Sequence, residues 1–463
     1  MKEGKLQMKS TSNMGTEKIS KLLLQFSIPS VIGMMVNAIY NIVDRIFIGN
    51  SPNGDLGIAA LTICFPLMML VFSISALFAM GGATMFSIRL GQQKIDDARK
   101  YMGNTFVLLF LSGILMTIVG LYFLEPILNL LGADDKILPY SIDYLQIILL
   151  GCVLSTVSFG GTAFMRADGA PARAMIAMLS GAIFNIIFDY LFIWRFGWGI
   201  HGAALATVGG QMLSTGFVLW YFLFSSKCQV RLQLSALKLK LVLIKNVVSN
   251  GIPMFVTQFT AAITITILNN SLSYYGGLTG INSEIAISGM GIINSLQTII
   301  FMPILGIVQG AAPLISFNYG ARQLHRSHEA LKLAMIVSTL IALFGTLFFF
   351  WKAEFLVSLF NSNPELVAFS SYALTIWFLG FPFVGIQVLG ANYFQATRQP
   401  LMATLLNLSR QVLILIPLVL ILPRFFSLNG ILYAAPLSDI LSTLVTAVFL
   451  WRALVSIPKT QIK

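Results

Sequence analysis

Charge is what this chain has least of. Only 10% of its 463 residues are Asp, Glu, Lys or Arg, against roughly 25% in an ordinary soluble chain. So few charges cannot cover a water-soluble globule. With 57% hydrophobic residues and a mean hydropathy of +0.84, the sequence reads as a polytopic membrane protein. Cysteine is scarce as well. Cys64, Cys152 and Cys228 are far apart and form no CxxC pair, which excludes a disulfide framework and leaves them as small buried hydrophobes. Histidine is limited to His201, His325 and His328, at or beyond expected helix ends, so no histidine-built metal centre is expected in the membrane. The chain also lacks GxxxxGK[ST], HExxH and GxSxG. It is therefore not expected to be an enzyme or to draw on ATP bound to itself. No cofactor is expected, and the energy for any work must come from an ion gradient.

The formal net charge of +12 would suggest nucleic acid in a soluble chain. A membrane protein instead gathers Lys and Arg in its cytoplasmic loops, so the expected partner is the lipid bilayer and no nucleic acid is expected. Apolar runs of about 20 residues, enough to cross the hydrocarbon core, start near Leu22, Leu56, Met102, Tyr140, Ala172 and Ile200. They resume near Val247, Ile285, Ala330, Phe369, Leu401 and Leu428. The predicted fold is all-α, with about twelve transmembrane helices in two six-helix lobes. Residues 1–21 form an N-terminal segment, 22–224 one lobe, 225–246 a linker, 247–455 the second lobe and 456–463 a tail. No cleavable signal peptide is expected, because the polar stretch before Leu22 is too long for one. Loops on the side of the termini carry 23 of the 29 Lys and Arg, the opposite loops carry five, and Arg410 lies inside a span. That bias places both termini and the linker in the cytoplasm of a multi-pass cell-membrane protein.

The two groups of six are copies. Gly81 and Gly310 stand 229 residues apart, and the same offset joins Ser87 to Ser316, Gly91 to Gly320, Gly151 to Gly380, Ala167 to Ala396 and Pro171 to Pro400. Each half has an even number of spans, so the repeats are parallel and related by an axis along the membrane normal. That arrangement suits alternating access at the interface between halves. The copies differ where it matters chemically: Asn185 falls opposite Ile414, and Asp189 opposite Leu418. A scaffold requirement would appear twice, so the N-terminal half is expected to carry the ion chemistry.

An ionisable side chain at bilayer depth is a functional hypothesis by default. In span 1, Asn37, Tyr40, Asn41 and Asp44 follow a 3, 1, 3 spacing that puts them on one helix face. Asp44 rises roughly 33 Å above Leu22 at 1.5 Å per residue. Span 5 brings Asn185 and Asp189 to a similar height, and span 6 brings Thr207. Two carboxylates, an amide, a hydroxyl and a phenol are all oxygen-bearing ligands, suited to Na⁺ or to a proton. The alternative for Asp44 is pairing with adjacent Arg45. Asp439 and Arg410 have no same-face partner in the sequence and are read as candidates for structural glue between helices. Gln258, Asn294 and Gln297 in the C-terminal half, with Asn37, are candidates for a substrate cavity or for interhelical hydrogen bonds. Pro29 interrupts span 1 and is a candidate bending point, or else a helix-start proline.

These residues resemble a known family. The pattern Pro29, Tyr40, Asp44, the segment NIIFDYLFI…GIHGAALAT from Asn185 to Thr207, and PLISFNYGA from Pro313 to Ala321 look like the multidrug and toxic compound extrusion (MATE) family across essentially the whole chain. The resemblance implies a V-shaped pair of six-helix bundles that exports drugs and organic cations in exchange for H⁺ or Na⁺. It carries the family's cation site onto Asp44, Asn185, Asp189 and Thr207, with Tyr40 beside it, and it associates Pro29 with helix bending. One branch of the family has an acidic residue in the seventh span. None occurs here between Val247 and Ser283, which implies a single ion site in the N-terminal lobe. The expected assembly is a monomer. The competing reading is a lipid-linked oligosaccharide flippase of the same broad superfamily, which would need a more basic cavity.

The charge bias generates a test of topology. A cysteine placed at Asn53 should react with an impermeant thiol reagent in intact cells, and one placed at Lys238 should not. Labelling at position 238 would reverse the orientation.

Overall fold

Apolar stretches of this length satisfy their backbone polar groups in hydrocarbon by forming helix. The computed structural model describes residues 13–51, 53–278, 283–361 and 363–455, and it contains no strand among them. Eleven helices are long and apolar enough to cross a membrane, and a twelfth span is the pair Leu138–Leu150 and Cys152–Ala167, bent by 53° at its break. In the N-terminal half the others are span 1 (Ile19–Gly49), span 2 (Gly54–Gly91), span 3 (Ile95–Tyr122), span 5 (Pro171–Arg195) and span 6 (Gly199–Phe224). The bent pair is span 4. The C-terminal half has span 7 (Leu241–Leu278), span 8 (Ser283–Gly320), span 9 (Leu324–Ser358), span 10 (Pro364–Ala396), span 11 (Pro400–Ile421) and span 12 (Pro423–Val455).

Local chemistry fixes several helix starts. Pro171 and Pro400 open spans 5 and 11, where proline sets φ without forfeiting a helical hydrogen bond. The side chain of Asn363 caps span 10 by accepting the N–H of Glu365 at 3.0 Å. Pro29 is not a helix-start residue: span 1 begins at Ile19 and stays helical through it. The linker ends earlier than its composition suggests, because span 7 is already helical at Leu241. Asn104, fully buried in span 3, clamps the linker by donating to the carbonyls of Ala236 and Lys238 at 3.1 and 3.0 Å and accepting the Lys240 N–H at 2.8 Å.

The repeat is visible in the backbone. Left-handed residues recur 229 apart, at Gln93 (φ 59°) and Arg322 (φ 60°), and again at Gly169 (φ 84°) and Arg398 (φ 62°). Span 3 ends at Phe123, with φ −104° and ψ 19°, and span 9 kinks at Lys352, 229 residues on, with φ −124° and ψ 27°. Gly151 marks the break in span 4, and its counterpart Gly380 lies in the 3₁₀ turn Phe378–Phe383 that interrupts span 10.

Packing across the halves obeys the same two-fold. Span 2 lies along span 7, and span 8 along span 1. At the end bearing the termini, spans 2 and 8 cross with no room for side chains. A Cβ on Gly91 would meet the carbonyl group of Phe317, its carbon at 2.9 Å, and a Cβ on Gly320 would meet that of Ile88, again with the carbon at 2.9 Å. Arg326 adds a clamp at this end, donating to the carbonyls of Met14 and Glu17 at 3.1 and 2.6 Å and to the Asn318 side chain at 3.1 Å. The apolar core follows this closure. One cluster joins both lobes at the terminal end, from Leu22 and Phe164 to Phe317 and Leu450. Toward the other end the core divides, into a C-lobe cluster around Leu296 and Phe378 and an N-lobe cluster around Cys64 and Leu145. The result is a V, joined where the termini lie and open at the far end.

Gly320→Ala should therefore strain the joined end. Overpacking of this kind costs about 1–3 kcal/mol, which should lower the apparent melting temperature of the purified chain by a few degrees. An unchanged melting temperature would show that the close crossing is not required.

Candidate functional site

Span 1 packs along span 5, and span 5 along span 6, so the polar faces of three helices meet inside the N-terminal lobe. Asp44, Asn185 and Asp189 are buried there, and Thr207 and Tyr40 are half-buried. The Asn185 amide reaches Thr207 Oγ1 at 3.3 Å and Asp189 Oδ1 at 3.4 Å. Asp44 and Asp189 lie close enough to act on each other electrostatically, and Tyr40 sits in the field of both. Asp44 makes no salt bridge with the exposed Arg45, although the Arg45 charge acts on it. Three acceptors, Asp44 Oδ1, Asn185 Oδ1 and Asp189 Oδ2, are buried with no hydrogen-bond partner.

Such orphaned oxygens are costly in the absence of a donor. Carboxylate and amide oxygens without N–H or O–H partners form a set that a cation or a proton completes. The helix geometry supports this use. Immediately after Asp189 the helix widens into a π segment, Tyr190–Arg195, a local irregularity often found at functional positions. Sequence reasoning missed Tyr144, which is buried in the first half of span 4 within the electrostatic reach of Asp44, Asp189 and Tyr40. Nothing in its local sequence marks it, since the packing of this half of span 4 on spans 2 and 6 brings it here.

Asn37 stays beside this site, its side chain within hydrogen-bond reach of Tyr40 and its backbone oxygen accepting the Asn41 amide at 2.6 Å. The remaining candidates fall elsewhere. Gln297 accepts the Trp377 indole N–H at 3.3 Å within the C-terminal lobe. Gln258 is half-buried and Asn294 exposed. None of these four lines the small cavity between the lobes. Arg166, counted with the loops by its position in the sequence, belongs to the last turn of span 4 and does line that cavity.

Arg410 and Asp439, which had no same-face partner in the sequence, pair with each other across spans 11 and 12 at 2.8 Å. The Ser438 hydroxyl donates to the Arg410 carbonyl at 2.7 Å. Arg410 lies in the second π segment, Ser409–Leu415. Residues 29 positions apart in sequence meet only through the packing of two helices. Asp439→Leu alone should destabilise the chain by about 3–5 kcal/mol, by leaving a buried guanidinium unpaired, and the double variant with Arg410→Met should cost clearly less. Thermal unfolding of the three proteins checks the order.

Comparison with known proteins places this architecture. Two copies of the MatE family profile match, at residues 29–191 and 253–421, one in each half. Multidrug export protein MepA of Staphylococcus saprophyticus is 26% identical over 454 residues, with 96% of both chains covered. The protein of the same name from Staphylococcus aureus strain MSSA476 is 27% identical over 439 residues, with 94% of each covered. Among solved structures, an outward-facing multidrug resistance MATE family transporter of the MOP superfamily superposes with a TM-score of 0.89 at 22% identity, covering 96% of this chain and 97% of that one. A MATE in the bent conformation gives 0.90 at 20% identity, covering 98% and 99%. With a family profile filling both lobes of a twelve-span V, this chain belongs to the MatE family of multidrug and toxic compound extrusion transporters.

Proposed function

We propose that this transporter is a secondary antiporter that exports amphipathic, cationic small molecules in exchange for H⁺ or Na⁺. The observation that carries the reading is the trio of orphaned oxygens on Asp44, Asn185 and Asp189, buried in one lobe and without repeat-related counterparts. A cation or a proton satisfies them, and alternating access makes the occupancy productive. Occupying the site removes uncompensated charge from the face of span 1 that packs on span 5, and Pro29 offers a place to bend because it lacks an N–H. Ion and drug then bind antagonistically, and linkage makes the effect reciprocal. The multidrug export relatives support small organic molecules as cargo. With the termini cytoplasmic, as the loop charges indicate, the V opens outward. The flippase reading would rest on Arg166 alone, because Arg410 is committed to Asp439.

The test is uptake of a fluorescent organic cation into inverted vesicles, with Na⁺ and pH gradients imposed separately. Asp44→Asn and Asp189→Asn should each abolish ion-driven uptake while expression persists, since an amide cannot titrate or balance a cation. Asn185→Ala and Thr207→Ala should weaken it less, and Leu418→Asn should add nothing. Wild-type rates in both aspartate variants would move the ion site elsewhere.

A further inference from the structure

The small, partly open cavity between the lobes is a different kind of site. It lies where spans 2, 4 and 8 meet, and its walls from spans 2 and 8 are repeat-related, with Thr84 facing Pro313 and Ser87 facing Ser316 across the pseudo-two-fold. Span 4 contributes Arg166, but the corresponding Gln395 of span 10 turns away to donate to the Asn250 carbonyl at 2.9 Å. Arg166 is 4% exposed, Ser87 and Ser316 1% and Thr84 8%. None of these four side chains has a hydrogen-bond or ion-pair partner among the described residues. No acidic residue lines the cavity. The carboxylate nearest in sequence, Asp168, is engaged on the other side by the Tyr221 hydroxyl at 2.6 Å and the N–H groups of Gln229 and Val230 at 3.0 and 3.2 Å.

A buried guanidinium without a counter-charge is costly, and here three hydroxyls accompany it with protons to donate. Gln309, whose amide donates to Met34 Sδ at 3.7 Å, completes the polar lining, so the site holds one positive charge and no negative one. We infer that Arg166, Thr84, Ser87 and Ser316 form a binding site for a single halide-sized anion on the pseudo-two-fold axis. The volume of about 20 Å³ holds one occupant of the size of a water molecule. A neutral water fills the space but leaves the guanidinium uncompensated. Because Ser316 belongs to one lobe and the other three residues to the other, the bound anion bridges the lobes just inside the Gly91–Gly320 crossing. It stabilises the state in which the terminal end is closed, and separation of spans 2 and 8 dismantles the site.

The test reads stability rather than transport, so it stands apart from the antiport reading. The purified full chain is melted in detergent at constant Na⁺, with gluconate replaced stepwise by chloride or bromide. A ligand that binds only the folded state stabilises it saturably. The expected result is a saturable rise in apparent melting temperature of about 2 °C, retained in Asp189→Asn, lost in Arg166→Gln and displaced to higher halide in Ser316→Ala. Identical melting of the wild type in chloride and gluconate would overturn the proposal, whatever the variants do. A full halide response in Arg166→Gln would overturn it too. If Arg166→Gln does not fold, the wild-type titration and Ser316→Ala decide between these outcomes.

Discussion

The crossing of spans 2 and 8 at Gly91 and Gly320 is the constraint on which the rest of the molecule depends. Each glycine lies against the backbone of the opposite helix where a Cβ would collide with a carbonyl group. Close backbone approach forces the two lobes together at one end. With that end fixed, helices of 38 residues such as spans 2 and 8 diverge along their length, and the core divides in two. The V is thus a consequence of tight inter-lobe contacts, here and at Gly81 and Gly251 between spans 2 and 7, and of long, stiff helices.

The repeat supplies symmetry, and function departs from it. Backbone irregularities fall in register at Gln93 and Arg322, at Gly169 and Arg398, and at Phe123 and Lys352. They belong to the scaffold, so duplication has kept them. The charged side chains of the two polar sites, Asp189 and Arg410, do not follow the two-fold. Asp189 stands just before a π segment in one half and Arg410 within a π segment in the other, at different registers. In the first half the carboxylates have oxygens to spare. In the second, Asp439 and Arg410 neutralise each other. One lobe is left with unmet need for positive charge and the other is self-contained, an asymmetry that suits a transporter in which one lobe reads the ion and both enclose the cargo.

The two unmet sites also lie at different levels. The acidic one sits within the N-terminal lobe among spans 1, 5 and 6. The basic one sits on the axis between lobes, against the close crossing. Opening the terminal end has to break the second site, because its residues come from both lobes, but can leave the first intact, because its residues come from one. Charge balance therefore differs in kind between them: the first is a matter of occupancy within one lobe, the second of the distance between two lobes.

Much of this was legible in the sequence. Mean hydropathy and the near absence of charge determine a helical membrane protein, since hydrocarbon admits little else. The 229-residue register determines two like lobes, and the i, i+4 pair Asn185 and Asp189 determines a polar face, because helical periodicity is local. What needed the tertiary structure are the contacts between segments far apart in the chain. Arg410 met Asp439 only when spans 11 and 12 packed. Tyr144 joined the carboxylates only through the packing of the first half of span 4 on spans 2 and 6. Arg166 read as one more loop charge until the crossing of spans 2 and 8 enclosed it. Periodicity tells which face of a helix a residue occupies, whereas the neighbour opposite that face is set by crossing angles and close approaches that no single segment encodes.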